Sequence, residues 1–491
     1  MTVFRPAFAP DGALVAPDVE IPELCRNGAA RLSRMLRAGE VSSIEVVEAF
    51  LGQIDRVNPT RNAIVTLRER DGILAEAKAA DEARVAGKDT GPLAGLPVAF
   101  KDLQPTKGLR TTFGSPIFAE FVPGEDSLTV QRVKAAGAIV IGKTNTPEFG
   151  LGSHTYNTVF GRTRNAFDPA LSAGGSSGGA AVSVALGMLP VADGSDFGGS
   201  LRNPGAFNNV FGFRPSLGRV PNVPAKDAFY GSFSTDGPIA RTVKDLALML
   251  SVMAGYDPRS PLASGDEGFR YEDRLDGAEA LRPKVAWLGD LGGRLPTEPG
   301  VIEICEAALA AMEPAGWRTE AVTPDFDFAA LWKSFVTLRG VAALVSHGPY
   351  RDAPEQYAKL KPEMQWEIES AARLSADDVA AAMLTRSRWR ETALALLQNF
   401  DVLALPTAQV FPFPVEWDWP KEIAGRAMDS YHRWFEVAAP GSLTGFPVVN
   451  VPAGFAADGR PMGVQLIGRP RADLDLLRIA AAYEAAAPRA A

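Results

Sequence analysis

The sequence predicts an α/β fold built as one large domain. Two patterns carry that expectation. Amphipathic helical segments alternate with short buried apolar runs, and neither an internal repeat nor a clean linker divides the 491 residues. Apolar residues make up 46% and charged residues 22%, a composition that can bury a large core.

The elements follow in order. Residues 1–21 carry early prolines and no long apolar run and read as a loose N-terminal arm ahead of a domain spanning 22–485. "SSIEVVEAFLGQIDRVNP" predicts a helix, with Ser42 and Glu45 at capping-box spacing. Ile44, Val47, Leu51 and Ile54 lie on one face, and Asn58-Pro59 is the expected stop. "LAGLPVAFK" reads as a buried strand closing at Lys101. Residues 127–136 read as a helix stopped by Gly137, "AIVIG" as a buried strand, and Thr146-Pro147-Glu148 as a helix start. Residues 171–218 are rich in Gly and Ser, but apolar segments interrupt them, so a linker is rejected. Residues 258–280 form a polar excursion. The region 323–440 is aromatic-rich and expected to be irregular, and 441–485 returns to strand, hairpin and a final helix.

Charge excludes several classes of partner. With 50 basic and 58 acidic residues, the net charge is −8, and no basic run reaches five. Such a chain is a poor binder of nucleic acid or anionic membrane, and its charge serves solubility. Cys25 and Cys305 stand outside any C-x-x-C pattern, and His154, His347 and His432 are scattered. A disulfide framework, a metal site and a cofactor are not expected. No signal peptide and no uninterrupted apolar stretch of ~20 residues is evident, so a cytoplasmic protein is expected.

Two motifs mislead. Gly137 to Thr144 satisfies G-x-x-x-x-G-K-[ST], but its middle residues, Ala-Ile-Val-Ile, belong to a strand, which would take the amides a phosphate needs. Gly174 to Gly178 satisfies G-x-S-x-G, but no apolar strand precedes it as a nucleophile elbow requires. A Ser-His-Asp hydrolase using His347 or His432 stays as a second enzymatic reading.

The chemistry concentrates in "GGSSGGAAVSVALGMLPVADGSDFGGSLR". A helix near 179–186 and a strand near 189–193 would run out and back. That path would bring the two Gly/Ser loops, and with them Ser176 and Ser200, to one end. Phe197-Gly198-Gly199-Ser200 allows converging backbone N–H groups, as an oxyanion site requires. The bland alternative is a pair of tight turns. A serine nucleophile needs a base, and lysine is the candidate where histidine is scarce. Lys101 follows "LPVAF". Burial would lower its pKa, whereas a surface lysine paired with Asp102 would be ordinary; composition leaves both open.

These residues carry a resemblance. The chain is similar, from about residue 22 to 485, to the amidase signature family of serine hydrolases. "GGSSGG" and "DGSDFGGSLRNPGAFNNVFGFRPS" form the core of the match. "LAGLPVAFKDL", "GAIVIGKTNTPEF", "DGPIARTVKDLALMLSVMAG", "TGFPVVNVPAGF" and "GRPMGVQLIGRP" flank it. The resemblance implies a central mixed sheet covered by helices on both faces. It also implies a Ser–cis-Ser–Lys triad, with Ser200 as nucleophile, Ser176 as the bridging serine after a cis peptide, and Lys101 as the base. Backbone N–H groups of Phe197, Gly198 and Gly199 would hold the oxyanion, Asp196 and Arg202 would shape the loop, and Ser177 would support Ser176. Phe197 departs from the small or β-branched residue expected there, and Gln104 from an Asn-like position.

Substrate choice in the family lies in variable segments, here about 323–440. Trp332, Phe335, Phe411, Phe413, Trp417, Trp419, Trp434 and Phe435 each read singly as core. As a group they point to bulky or aryl hydrophobic substrates: amides, and with them carbamates or esters. The expected partner is such a small molecule, with a homodimer compatible with the sequence. The rivals are a component delivering ammonia in a transfer-RNA-dependent amidotransferase, and a noncatalytic binding protein on the same fold. The second would be expected to lose one of Lys101, Ser176 and Ser200, and all three are present.

Overall fold

The computed structural model describes residues 4–88, 90–229, 233–265 and 267–490. The strand expected to close at Lys101 runs Pro97–Lys101, with all five residues buried. It pairs in parallel with Ile139–Thr144, which pairs antiparallel with Ile64–Leu67. Residues of the P-loop-like motif are therefore a sheet's central strand, with their backbone committed to two neighbours.

A second, larger sheet forms the centre. Its strand order is Arg318–Ala321, Lys284–Trp287, Val402–Pro406, Pro461–Ile467, Val448–Phe455, Phe211–Arg214, Thr235–Ala240 and Ala192–Asp196. Lys284–Trp287 is parallel to both its neighbours, and the other pairings are antiparallel. The result is a single-domain α/β fold with a large mixed sheet flanked by helices. Its edge strand, Ala192–Asp196, meets the end of Pro97–Lys101, where the Lys101 N–H donates to Asp193 Oδ1 at 2.9 Å. That junction positions the site.

Several expectations shift. The capping box of Ser42 and Glu45 forms, but the helix runs Ser43–Arg61, through Pro59. In the last turn the missing proline N–H costs one ladder bond, and the stop comes instead from Asn62 at φ 52°. Ile44 is only half-buried; Val46, Val47, Phe50, Leu51, Ile54 and Val57 make the packed face. Thr146-Pro147-Glu148 opens only a short 3₁₀ turn, Glu148–Gly150, which the positive φ of Phe149 interrupts. The helix expected near 179–186 is Gly178–Ala185, and the following strand begins at Ala192, three residues later than expected. Pro190 offers no N–H to a ladder, which delays the strand.

The arm is not loose. Phe8 is 1% exposed, Arg5 exchanges backbone hydrogen bonds with Phe455, and Asn209 Nδ2 donates to the carbonyls of Ala7 and Val15. Nor is 323–440 irregular throughout. It contains helices Phe328–His347, Pro362–Ala371 and Ala376–Leu396, two of them capped by Asp327 and by Ser375 with Asp378. The first is buried on more than one side, and the other two carry exposed apolar residues such as Trp366, Met383 and Leu384 off their buried stripes, which blurs the amphipathic periodicity. The segment Phe328–Asp352 is long and apolar enough to cross a membrane, with mean hydropathy 1.4. Here the first of these helices packs against the other two, and its Arg339 pairs with Glu367 at 2.7 Å.

Candidate active site

Lys101 ends its strand at 0% exposure. Its Nζ lies 2.7 Å from Ser176 Oγ, 2.9 Å from Ser177 Oγ and 3.0 Å from Ser195 Oγ. Three hydroxyls suit either state of the amine. An ammonium donates three hydrogen bonds; a neutral amine donates two and accepts one through its lone pair. Burial pulls the Lys101 amine down to about 7, while the carboxylates of Asp193, Asp236 and Asp196 oppose that fall. The ordinary surface lysine paired with Asp102 is thereby set aside. Asp102 instead accepts from the Thr112 N–H and hydroxyl.

Ser176 sits where the Gly/Ser loop enters the helix Gly178–Ala185, and the Gly175–Ser176 peptide bond is cis. The second loop lies against the first, with Ser177 N–H donating to the Ser200 carbonyl at 3.2 Å. Among the described residues no hydrogen bond joins the Ser176 and Ser200 hydroxyls. Both serines line one cavity of about 390 Å³. Phe197, Ser195, Phe113, Phe149, Arg339 and His347 are among its other walls. An adjoining cavity of about 830 Å³ shares Asp227, Ala342 and Val345 with it but holds neither serine.

The Ser200 loop is held from beneath by Asp196. Its carboxylate accepts from the N–H groups of Gly199 at 2.9 Å and Leu201 at 3.1 Å, and from Arg202 Nε and Nη2. Burial would raise this carboxyl, but Arg202 and Arg214 hold it well below the usual carboxylate range. Gly199 stands at φ 97°, a backbone state open to glycine, and a Cβ there would lie 3.1 Å from that of Ala438.

The Amidase family model matches residues 45–477. The chain belongs to the amidase signature family. An acylamidase of Rhodococcus erythropolis is 35% identical over 464 residues, covering 94% of this chain and 95% of that one. One of the subunits of the glutamyl-tRNA(Gln) amidotransferase from Ralstonia nicotianae is 36% identical, covering 93% and 96%. The crystal structure of a bacterial aryl acylamidase of the same family superposes with a TM-score of 0.87 at 30% identity, covering 94% and 96%. The protein is an amidase, a hydrolase of C–N bonds.

Within this amidase some sequence readings need correction. Ser177 supports Lys101 rather than Ser176, and Ser195, which the sequence did not single out, supplies the third hydroxyl. Ser195 precedes Asp196 in a strand, so its side chain points to the opposite face from Asp196, and that alternation was the available signal. Gly199 does not present a free N–H, because Asp196 takes it; the N–H groups of Phe197 and Gly198 have no side-chain acceptor among the described residues. Gln104, at the position where an Asn-like residue is expected, bridges Asp236 and Ser127.

The eight aromatics of 323–440 line no part of the serine cavity. Six are core, Trp419 is half-buried and Trp417 is 50% exposed. Phe113, Phe149 and Phe197 provide the aromatic wall instead. The region contributes through one face of Phe328–His347 and through Met364. His432 is buried beside Trp332 and Trp366, away from the cavity. His347 reaches the cavity, but burial pulls its pKa down to about 3 and its Nδ1 has no partner. Among the described residues it has no orienting carboxylate of the kind a Ser-His-Asp relay needs.

Proposed function

We propose that this amidase hydrolyses bulky or aryl hydrophobic amides through Ser200. Neutral Lys101 takes the proton of Ser176, and Ser176 takes that of Ser200. Ser200 Oγ then attacks the substrate carbonyl and forms an acyl-enzyme as the amine leaves with the relayed proton. Water then gives a proton to the same relay as it attacks the acyl group, and the relay returns that proton to Ser200 Oγ as the acid leaves. N–H groups of Phe197 and Gly198 stabilise the oxyanion, each contributing about 3–4 kcal/mol. Gly199 acts through the shape that its bond to Asp196 imposes on the loop.

The observation that carries this reading is the 2.7 Å contact between Lys101 Nζ and Ser176 Oγ in a buried setting, beside a cavity that Ser176 shares with Ser200. The same nucleophile and donors serve esters and carbamates. A fluorophosphonate probe, followed by peptide mapping, tests the assignment. The label falls on Ser200 in the wild type and disappears in Ser200→Ala. A label on Ser176, or unchanged turnover by Ser200→Ala, reverses the roles or removes them.

Likeness to an amidotransferase component gives a second reading, in which the same site releases ammonia from glutamine for a partner. The apolar wall of Phe113, Phe149, Phe197 and Met364 favours the first. Copurification with other subunits and glutaminase activity exceeding aryl amidase activity would favour the second.

A further inference from the structure

Two turns beside the hydroxyl cluster share an unusual backbone. Phe113 and Phe149 have φ of 53° and 49°, and each precedes a glycine in the same region, Gly114 at 65° and Gly150 at 73°. A bulky aromatic residue in the left-handed region is an outlier that persists only when its surroundings over-determine it. They do so here. Phe149 N–H donates to the Phe113 carbonyl at 2.7 Å and ties one turn to the other. Asp102 fixes Thr112, the residue before Phe113, through its N–H at 3.1 Å and its hydroxyl at 2.5 Å. Glu148, the residue before Phe149, accepts from Ser115 Oγ at 2.7 Å and from Lys361 N–H at 2.8 Å. The second turn also abuts the hydroxyl cluster: a Cβ on Gly150 would lie 3.4 Å from Ser176 Oγ.

Core packing would explain such turns if the rings were buried. Both rings stay partly exposed and line the cavity that holds Ser176 and Ser200. They are backed by other rings. Phe118 meets Phe113 and Phe149 edge-on at 5.2 and 6.1 Å, and the His347 ring lies 4.3 Å from that of Phe149. Phe197 lines the same cavity from the Ser200 loop. An aromatic ring gains more from such a wall than its buried area alone provides, because ring pairs have favoured offset and edge-on geometries. A saturated ring of the same size gains only the area.

We propose that Phe113 and Phe149 are specificity-determining residues that seat an aromatic ring of the amide substrate beside Ser200. The inference rests on the reading of Ser200 as nucleophile and adds the residues that select an aromatic over a saturated ring.

The test uses matched substrates: acetanilide against N-cyclohexylacetamide, and benzamide against cyclohexanecarboxamide. Wild type, Phe113→Leu, Phe149→Leu and Phe149→Tyr are compared by kcat/KM. Intrinsic reactivity differs within each pair, but it cancels when a variant's aryl-to-cyclohexyl ratio is divided by that of the wild type. The Leu variants lower the ratio about ten-fold for at least one pair, and Phe149→Tyr keeps it within about two-fold. Ratios unchanged in both Leu variants for both pairs overturn the proposal. If a Leu variant fails to fold, inhibition of the wild type decides: phenylacetamide inhibits at lower concentration than cyclohexylacetamide, and equal inhibition overturns the proposal. Fluorophosphonate labelling is read on the same samples. A wild type that neither takes the label nor turns over any of the four amides removes the nucleophile reading itself, whereas an active, labelled enzyme with unchanged ratios removes only the aromatic seat.

Discussion

Lys101 governs the pH response expected of this enzyme. Its amine is drawn down to about 7 by burial, so the neutral form that accepts a proton grows as pH rises through that value. We expect kcat/KM to climb about ten-fold per pH unit below 7 and to level off above it. A pH–rate profile flat from 5 to 9 would exclude Lys101 as the base. Stability carries the same signature. Between about 7 and 10.5 the folded lysine is neutral while the unfolded one is protonated, so the unfolded state binds more protons and wild-type stability rises with pH. Lys101→Met lacks this slope, and urea titrations at pH 7 and pH 9 measure the difference. The variant is expected to lose activity by several orders of magnitude, as for a nucleophile deprived of its base. At this scale the sequence was legible in residue types and obscure in surroundings. Lys101, Ser176 and Ser200 stand out in their motifs, but burial, which decides the lysine's proton affinity, depends on a sheet junction that no local pattern encodes.

The loop from Asp196 to Ser200 works as a unit because the buried Asp196 carboxylate accepts from two backbone amides and from Arg202, with Arg214 paired to it at 3.7 Å. Arg202 continues the network to Gln465 at 2.6 Å and Ser442 at 2.7 Å, so the loop is tied to the central strand Pro461–Ile467 and to the helix Ala439–Thr444. Asp196→Asn removes the charge while keeping the shape and leaves Arg202 and Arg214 buried without a counter-ion. The expected loss is about 3–5 kcal/mol of stability. The remaining folded enzyme should show a kcat deficit, because Gly199 loses its charged anchor. Urea denaturation checks the first outcome and steady-state kinetics of the folded fraction the second; a variant as stable and active as wild type would mean that the two arginines find other partners. Element boundaries were less legible than element types. Pro59 reads as a stop but sits in a final turn, where one missing hydrogen bond is tolerated. Pro190 lies within the strand expected near 189–193, and that strand starts three residues later, at Ala192. The helices of 323–440 were missed because apolar residues lie around much of their circumference, which leaves the aromatic content more visible than the helical period.

Chain topology explains why the whole molecule is needed to make a site of a few hydroxyls. Lys101 comes from a three-stranded sheet near the N-terminus, Ser195 and Ser200 come from the edge strand of the eight-stranded sheet and the loop after it, and Ser176 and Ser177 come from the loop that enters the helix Gly178–Ala185, so no one element holds the cluster. The C-terminal strands Val448–Phe455 and Pro461–Ile467 lie inside that larger sheet, between strands from the middle of the chain. The α/β class was legible because helix and strand periodicities alternate along the chain. This strand order was not, since it is fixed by pairings between distant segments. The arm shows the consequence. Its composition suggests a loose arm, yet Phe8 packs against Phe211 and Tyr483, at ring separations of 6.4 Å, and Arg5 pairs with Phe455. Residue 8 thus contacts both a strand that follows the Ser200 loop and the last helix, and it closes the sheet's surface from the opposite end of the sequence. Phe8→Ala opens a cavity at that contact and is expected to cost about 3–5 kcal/mol. Because the described residues of the arm line no part of the serine cavity, the loss should appear as a lower unfolding midpoint, with kcat per folded molecule unchanged. Thermal denaturation together with active-site titration by the fluorophosphonate separates the two. A variant that unfolds at the wild-type temperature would show that the arm merely rests on the sheet, and one that keeps its midpoint but loses kcat would place residue 8 in the catalytic path.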